Sequence, residues 1–133
     1  MISLLKIPVL TTWRIADLLD EENPYYCGRP GCIGQRGANF TQQNADLVIS
    51  IGARLDFGQI GYSHENFARE AKKIIIDIDQ KEIGKFKFKP DLAINMDAGA
   101  FLSAIISNKI DQKFDFSEWL NRSRALHKRY PLV

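Results

Sequence analysis

Two runs hold the residues best suited to chemistry. The first, Ala45 to Asp56, delivers Gly52, Ala53, Arg54 and Asp56 from the end of an apolar stretch. The second, Lys73 to Asp79, is an isoleucine-rich stretch that ends in Asp77, Ile78 and Asp79. Isoleucine- and valine-rich runs of this length read as strands covered on both faces. A glycine at a strand exit lets the backbone turn sharply and approach a ligand closely. Carboxylates at the exit accept hydrogen bonds from ribose hydroxyls. Together these are the features of a nucleotide-binding edge in an open α/β sheet. Each residue also has a plainer use. Asp79 suits the cap of a helix starting near Lys81, and Asp77 is open between cap and ligand. Arg54 either meets a phosphate or holds loops together through a carboxylate such as Asp56.

The elements that must position these residues alternate. Strands are expected at Val9–Thr11, Leu47–Ile51, Ile74–Ile78 and Leu92–Met96. Helical spacing covers Trp13–Leu19, Gln35–Asn44, Asn66–Glu70, Lys81–Lys85 and Ala98–Asn108. Strands alternating with helices imply a parallel sheet with right-handed crossovers, so the fold class is α/β. The loops after Thr11, Gly52, Asp77 and Met96 then open on one edge. Between Tyr25 and Gly34 lies a loop with Gly28, Gly31 and Gly34 at three-residue intervals, unlike the Gly-x-Gly-x-x-Gly fingerprint. Near the C-terminus Phe116, Trp119, Leu120 and Tyr130 are expected on one helix face. Arg122, Arg124, Lys128 and Arg129 form the wet side. Residues 1–110 read as one domain and 111–133 as a connector helix. A doubly wound unit begins with a central strand and helix, and the chain reads as lacking that first pair.

Composition bounds the function classes. With 133 residues, 45% hydrophobic and 26% charged, the chain is an ordinary globular domain with a core of its own. A net charge of +2 gives no reason to expect nucleic acid. No apolar stretch reaches the roughly 20 residues of a membrane span, and no signal peptide is evident. Cys27 and Cys32 lack the partners of a zinc set and read as free thiols in a reducing, cytoplasmic setting. His64 and His127 stand apart from any triad-like arrangement and are expected to face solvent.

Several motifs in this order resemble one family. They are Ile7-Pro8-Val9-Leu10-Thr11-Thr12, then Gly31-Cys32-Ile33-Gly34, then Gln43 through Asp56. Ile76-Asp77-Ile78-Asp79-Gln80-Lys81-Glu82-Ile83-Gly84-Lys85, Pro90-Asp91 and Asp97 continue the pattern. The chain resembles the central domain of thiamine diphosphate-dependent enzymes of the acetolactate synthase group. The resemblance implies a Rossmann-like domain of the type that binds NAD or FAD, with helices on both faces of the sheet. It implies a parent enzyme, a lyase or transferase, that decarboxylates a 2-keto acid with thiamine diphosphate and magnesium. In the family those cofactors sit in separate pyrimidine- and diphosphate-binding domains. These would be the partners of this domain in a homo-oligomeric parent, and this chain alone is expected to be inactive.

Some family members hold FAD or ADP in the central domain. The resemblance places Thr12, Trp13 and Arg14 in a loop touching the flavin, with Gly31 and Cys32 as a second contact. Gly52, Ala53, Arg54 and Asp56 match a third, and Asp77, Ile78 and Asp97 match adenosine-side contacts. Two departures count against flavin. Phe57 and Gly58 follow Asp56 where flavin-binding synthases have Asp-Arg, and Cys32-Ile33-Gly34 stands where they have Met-His-Gly. A lost arginine is a lost bidentate phosphate partner. The alternative reading is a stand-alone nucleotide-binding module with a Rossmann-like fold.

Overall fold

The computed structural model describes residues 1–108 and 114–131. Its described residues form two compact units. One combines residues 1–42 with the C-terminal segment, and the other is residues 43–108.

The second unit carries the sheet. Strands β1 (Leu47–Ile51), β2 (Lys72–Asp77) and β3 (Leu92–Asn95) are parallel, in the order β1-β2-β3. Helices α3 (Phe57–Ile60), α4 (Gln80–Gly84) and α5 (Ala98–Ser107) follow the three strands in turn, and α4 and α5 pack against β2. The fold is therefore α/β and Rossmann-like, with a three-stranded parallel sheet flanked by helices. Register pairs Val48 with Lys73, Ser50 with Ile75 and Ile51 with Ile76. Alternation puts Val48, Lys73 and Ile75 on one face. There Ile75 joins Leu55, Phe67 and Ile83, with Phe86 and Phe88 stacked beside them. On the other face Ile76 is fully buried, but Leu47 and Ile49 at the β1 edge are 44% and 36% exposed.

The first unit packs α2 (Arg36–Gln43) against α6 (Ser117–Arg129). A Cβ on Gly37 would lie 2.5 Å from the Leu126 carbonyl oxygen, so the helices touch backbone to backbone. A short helix, α1 (Ile2–Leu5), opens the chain. Tyr26, Cys27 and Ala38 are its buried centre.

Several expected elements differ. Val9–Thr11 forms a single bridge, Val9 to Tyr26, and the sheet has three strands rather than four. Trp13–Leu19 holds only a 3-10 turn, Trp13–Ile15. Trp13, Ile15 and Leu18 are exposed, so no buried face stabilises a longer helix. Asn66–Glu70 is not a helix either. The Ala68 N–H donates to Gln43 Oε1, and Ala68 sits at φ 40°, outside the helical region. His127 is 5% exposed rather than solvent-facing, because α6 buries Ser123 and His127. Arg124, on the side expected to be wet, reaches inward to the Tyr26 carbonyl at 2.6 Å.

Candidate functional site

The sheet edge is built by register. The Gly52 N–H donates to the Ile76 carbonyl at 2.8 Å and the Met96 N–H to the Asp77 carbonyl at 3.0 Å. Gly52, Asp77, Ile78 and Asp97 therefore gather at the carboxyl ends of three adjacent parallel strands. Gly52 takes φ 58°, and a Cβ there would come within 3.2 Å of the Ala98 Cβ at the start of α5. A side chain at position 52 would thus meet both backbone strain and a crowded neighbour.

Each acid at this edge serves the backbone with one oxygen. Asp77 accepts from the Asp79 N–H, Asp79 caps α4 through the Lys81 N–H, and Asp97 caps α5 through the Ala100 N–H. Asp79 and Asp97 are exposed and keep a second oxygen suited to hydroxyl donors, whereas Asp77 is buried. Asn95, which sequence reading passed over, donates its amide to the carbonyls of Asp77 and Ile78 and fixes the loop between them. Its only sequence signal is an amide at the end of a strand. Ile78, 70% exposed, projects from that loop.

Arg54 pairs with a carboxylate from α4. Its Nε donates to Glu82 Oε1 at 3.2 Å, and Lys85 Nζ donates to both Glu82 and the Arg54 carbonyl. Those bonds hold Arg54 and Leu55 in left-handed conformations, φ 58° and 50°, which non-glycine residues rarely adopt. Lys85 and Arg54 also hold the Glu82 carboxyl below the usual glutamate range. The structural role expected of Arg54 thus falls to Glu82, not Asp56. Ala53 packs on the core beside it. Asp56 precedes α3 without a side-chain cap and lines a cleft of about 420 Å³ with Tyr62, Lys85 and Lys87.

The remaining candidates belong to the first unit. Thr12, Trp13 and Arg14 lie at the 3-10 turn, with the two larger side chains exposed. Gly31, at φ 133°, is clamped by Asn39. Its N–H donates to Asn39 Oδ1 at 2.8 Å, and its carbonyl accepts from Asn39 Nδ2 at 3.0 Å. Gln35 Oε1 accepts from the Arg29 N–H at 2.7 Å, so α2 and the residue before it fasten the whole glycine loop. Cys32 is exposed and Cys27 buried, and neither is in a disulfide. Burial pushes the Cys27 thiol up to about 11 against the opposing pull of Arg124. Beside it His127 pairs with Glu21 and meets the Tyr26 ring edge-on at 5.5 Å. A Cβ on Gly28 would sit 2.9 Å from His127 Nδ1, and only glycine fits there.

Chemically, the sheet edge can accept hydrogen bonds from a sugar. Among the described residues no group of three His, Cys, Asp or Glu side chains is placed to hold a metal. The family model for the central domain of thiamine pyrophosphate enzymes matches residues 1–105. The chain belongs to this family. Acetolactate synthase large subunits are similar throughout. That of Cyanidium caldarium is 40% identical over 98% of this chain and 23% of its own length. The Corynebacterium glutamicum subunit is 35% identical over 94% of this chain and 20% of its own. Isozyme 1 of Escherichia coli is 33% identical over 95% of this chain and 22% of its own. This central domain thus spans under a quarter of the relatives it matches. Among the described residues no helix is long and apolar enough to cross a membrane.

Proposed function

We propose that this central domain is a scaffold for an acetolactate synthase-like enzyme that acts on 2-keto acids in the cytoplasm. In this reading residues 1–110 form the domain and 111–133 connect it onward. Thiamine diphosphate and magnesium are held by the pyrimidine- and diphosphate-binding domains of a homo-oligomeric parent. The match over residues 1–105 carries the reading. It favours a domain of a larger enzyme over a stand-alone module.

The sheet edge supports a nucleoside contact and little more. Asp97, exposed, keeps an oxygen for a ribose hydroxyl, with the exposed Ile78 nearby and Asp77 buried at the strand end. The guanidinium best placed for phosphate, Arg54, is engaged by Glu82. The diphosphate of FAD or of ADP therefore lacks a strong partner here, and the ribose common to both is the part the edge can hold. The chain should purify colourless. It should bind ADP weakly in calorimetry and lose that binding in Asp97→Asn, which keeps the α5 cap. With added thiamine diphosphate and magnesium it should not decarboxylate pyruvate. A yellow preparation with a flavin spectrum would overturn the nucleotide assignment, and measurable turnover would overturn the scaffold reading.

A further inference from the structure

One buried imidazole in the first unit is only half satisfied. His127 Nε2 meets Glu21 Oε1 at 2.5 Å, while Nδ1 is sealed by its neighbours and has no hydrogen-bond partner among the described residues. The carboxylate requires a proton on Nε2, so in the neutral ring Nδ1 is a bare lone pair. That lone pair shares a narrow space with a second acceptor. A Cβ on Gly28 would lie 2.9 Å from Nδ1 and 2.5 Å from Gln35 Oε1, so both atoms crowd the same side of Gly28. Turning the Gln35 amide over would set its NH2 against the Arg29 N–H, which now donates to Oε1 at 2.7 Å. Two acceptors crowded together away from water are unfavourable. A second proton on the ring reverses this. The imidazolium donates from both nitrogens, and a carbonyl oxygen can accept two bonds.

We propose that His127 is a pH-sensitive clasp on the glycine loop. In acid the imidazolium bridges Glu21 and Gln35. Gln35 grips Arg29 at both its N–H and its carbonyl, each at 2.7 Å, so the clasp ties α6 to the loop that carries Gly31 and the exposed Cys32. As pH rises the ring gives its Nδ1 proton to solvent, the bond to Gln35 goes, and the loop loosens. The groups around the ring set the balance. Glu21 favours the cation. Arg124, one turn back on α6, opposes it, but its Nη1 donates to the carbonyls of Tyr26 and Glu21. Cys27 is a buried thiol kept protonated, Tyr26 contributes its ring, and α2 brings Gly37 rather than a charge. Arg29 bonds the Tyr26 hydroxyl, and Arg36 lies over the rings of Phe40 and Tyr130. The coupling is reciprocal: the factor by which protonation favours loop closure is the factor by which closure favours protonation.

Amide exchange between about pH 5 and 8, corrected for intrinsic rates, tests the clasp beside an NMR titration of the His127 ring. Protection at Arg29 and Gly31 should fall about tenfold, with its midpoint where the ring titrates. His127→Gln, which carries no titrating group, should make loop protection flat over that range. Gln35→Met removes the acceptor, and the ring should then hold its proton about tenfold less tightly. Glu21→Gln should move the ring and loop transitions together to lower pH, which a merely structural contact would not do. Circular dichroism checks that each variant folds. Loop protection that is already flat in the wild-type chain overturns the proposal. So does a fall that persists in folded His127→Gln, or a ring titration that both Glu21→Gln and Gln35→Met leave unchanged.

Discussion

The Cys27 thiol stays protonated far above neutrality because burial outweighs the Arg124 guanidinium beside it. In the unfolded chain the same thiol ionises near 9.0, in the fold near 11. Folding stability is therefore whole below pH 9 and falls between pH 9 and about 11, by on the order of 2–3 kcal/mol. Alkaline unfolding curves should show this loss, and Cys27→Ala should abolish it. Glu82 behaves in the opposite sense. Its carboxyl is depressed by Lys85 and Arg54, so its contribution is present above the ordinary glutamate range and disappears as pH falls through the depressed value. Lys85→Met should raise the acid-unfolding midpoint. It should also loosen the left-handed Arg54–Leu55 turn, seen as faster exchange of those amides. Sequence alone offered Cys27 and Cys32 as equals, because only tertiary packing decides which thiol is sealed. It offered Arg54 a carboxylate two residues away, and the fold supplies one 28 residues away.

The elements were most legible where pattern and packing agree. Leu47–Ile51 was read without error, and the reading of β2, β3, α4 and α5 held to within two residues, because their apolar runs end at acids or glycines. The cap expected of Asp79 is present. Asp97→Ala should cost about 1 kcal/mol, measured by thermal unfolding, through loss of the α5 cap. Where a segment has apolar spacing but nothing to pack on, as in Trp13–Leu19, the helix does not form. The glycine loop was legible as a loop, but its fastening by Asn39 and Gln35 was not. Amides near a helix start carry no periodic signal. Asn39→Ala strips two bonds from Gly31 and should destabilise the first unit by about 1–3 kcal/mol, with exchange rising at Gly31–Gly34.

At the scale of the whole molecule, the family and the α/β class were legible because strand-end motifs carry both spacing and chemistry. The basic C-terminal helix was read as a connector. Nothing local announces that His127 will sit beside Gly28 and Glu21, because those partners come from the other end of the chain. That arrangement has a temporal consequence. Residues 43–108 lie wholly between the two sequence segments that make the first unit. During synthesis the sheet unit has all of its strands before α6 exists. Tyr26, Cys27 and Gly37 must wait for residues about ninety positions downstream. Contacts of such separation form late. Pulse-labelled refolding should protect the β2 amides first and Cys27 last. An interrupted chain that stops before Ser117 should keep its sheet and leave the Cys27 thiol open to alkylation.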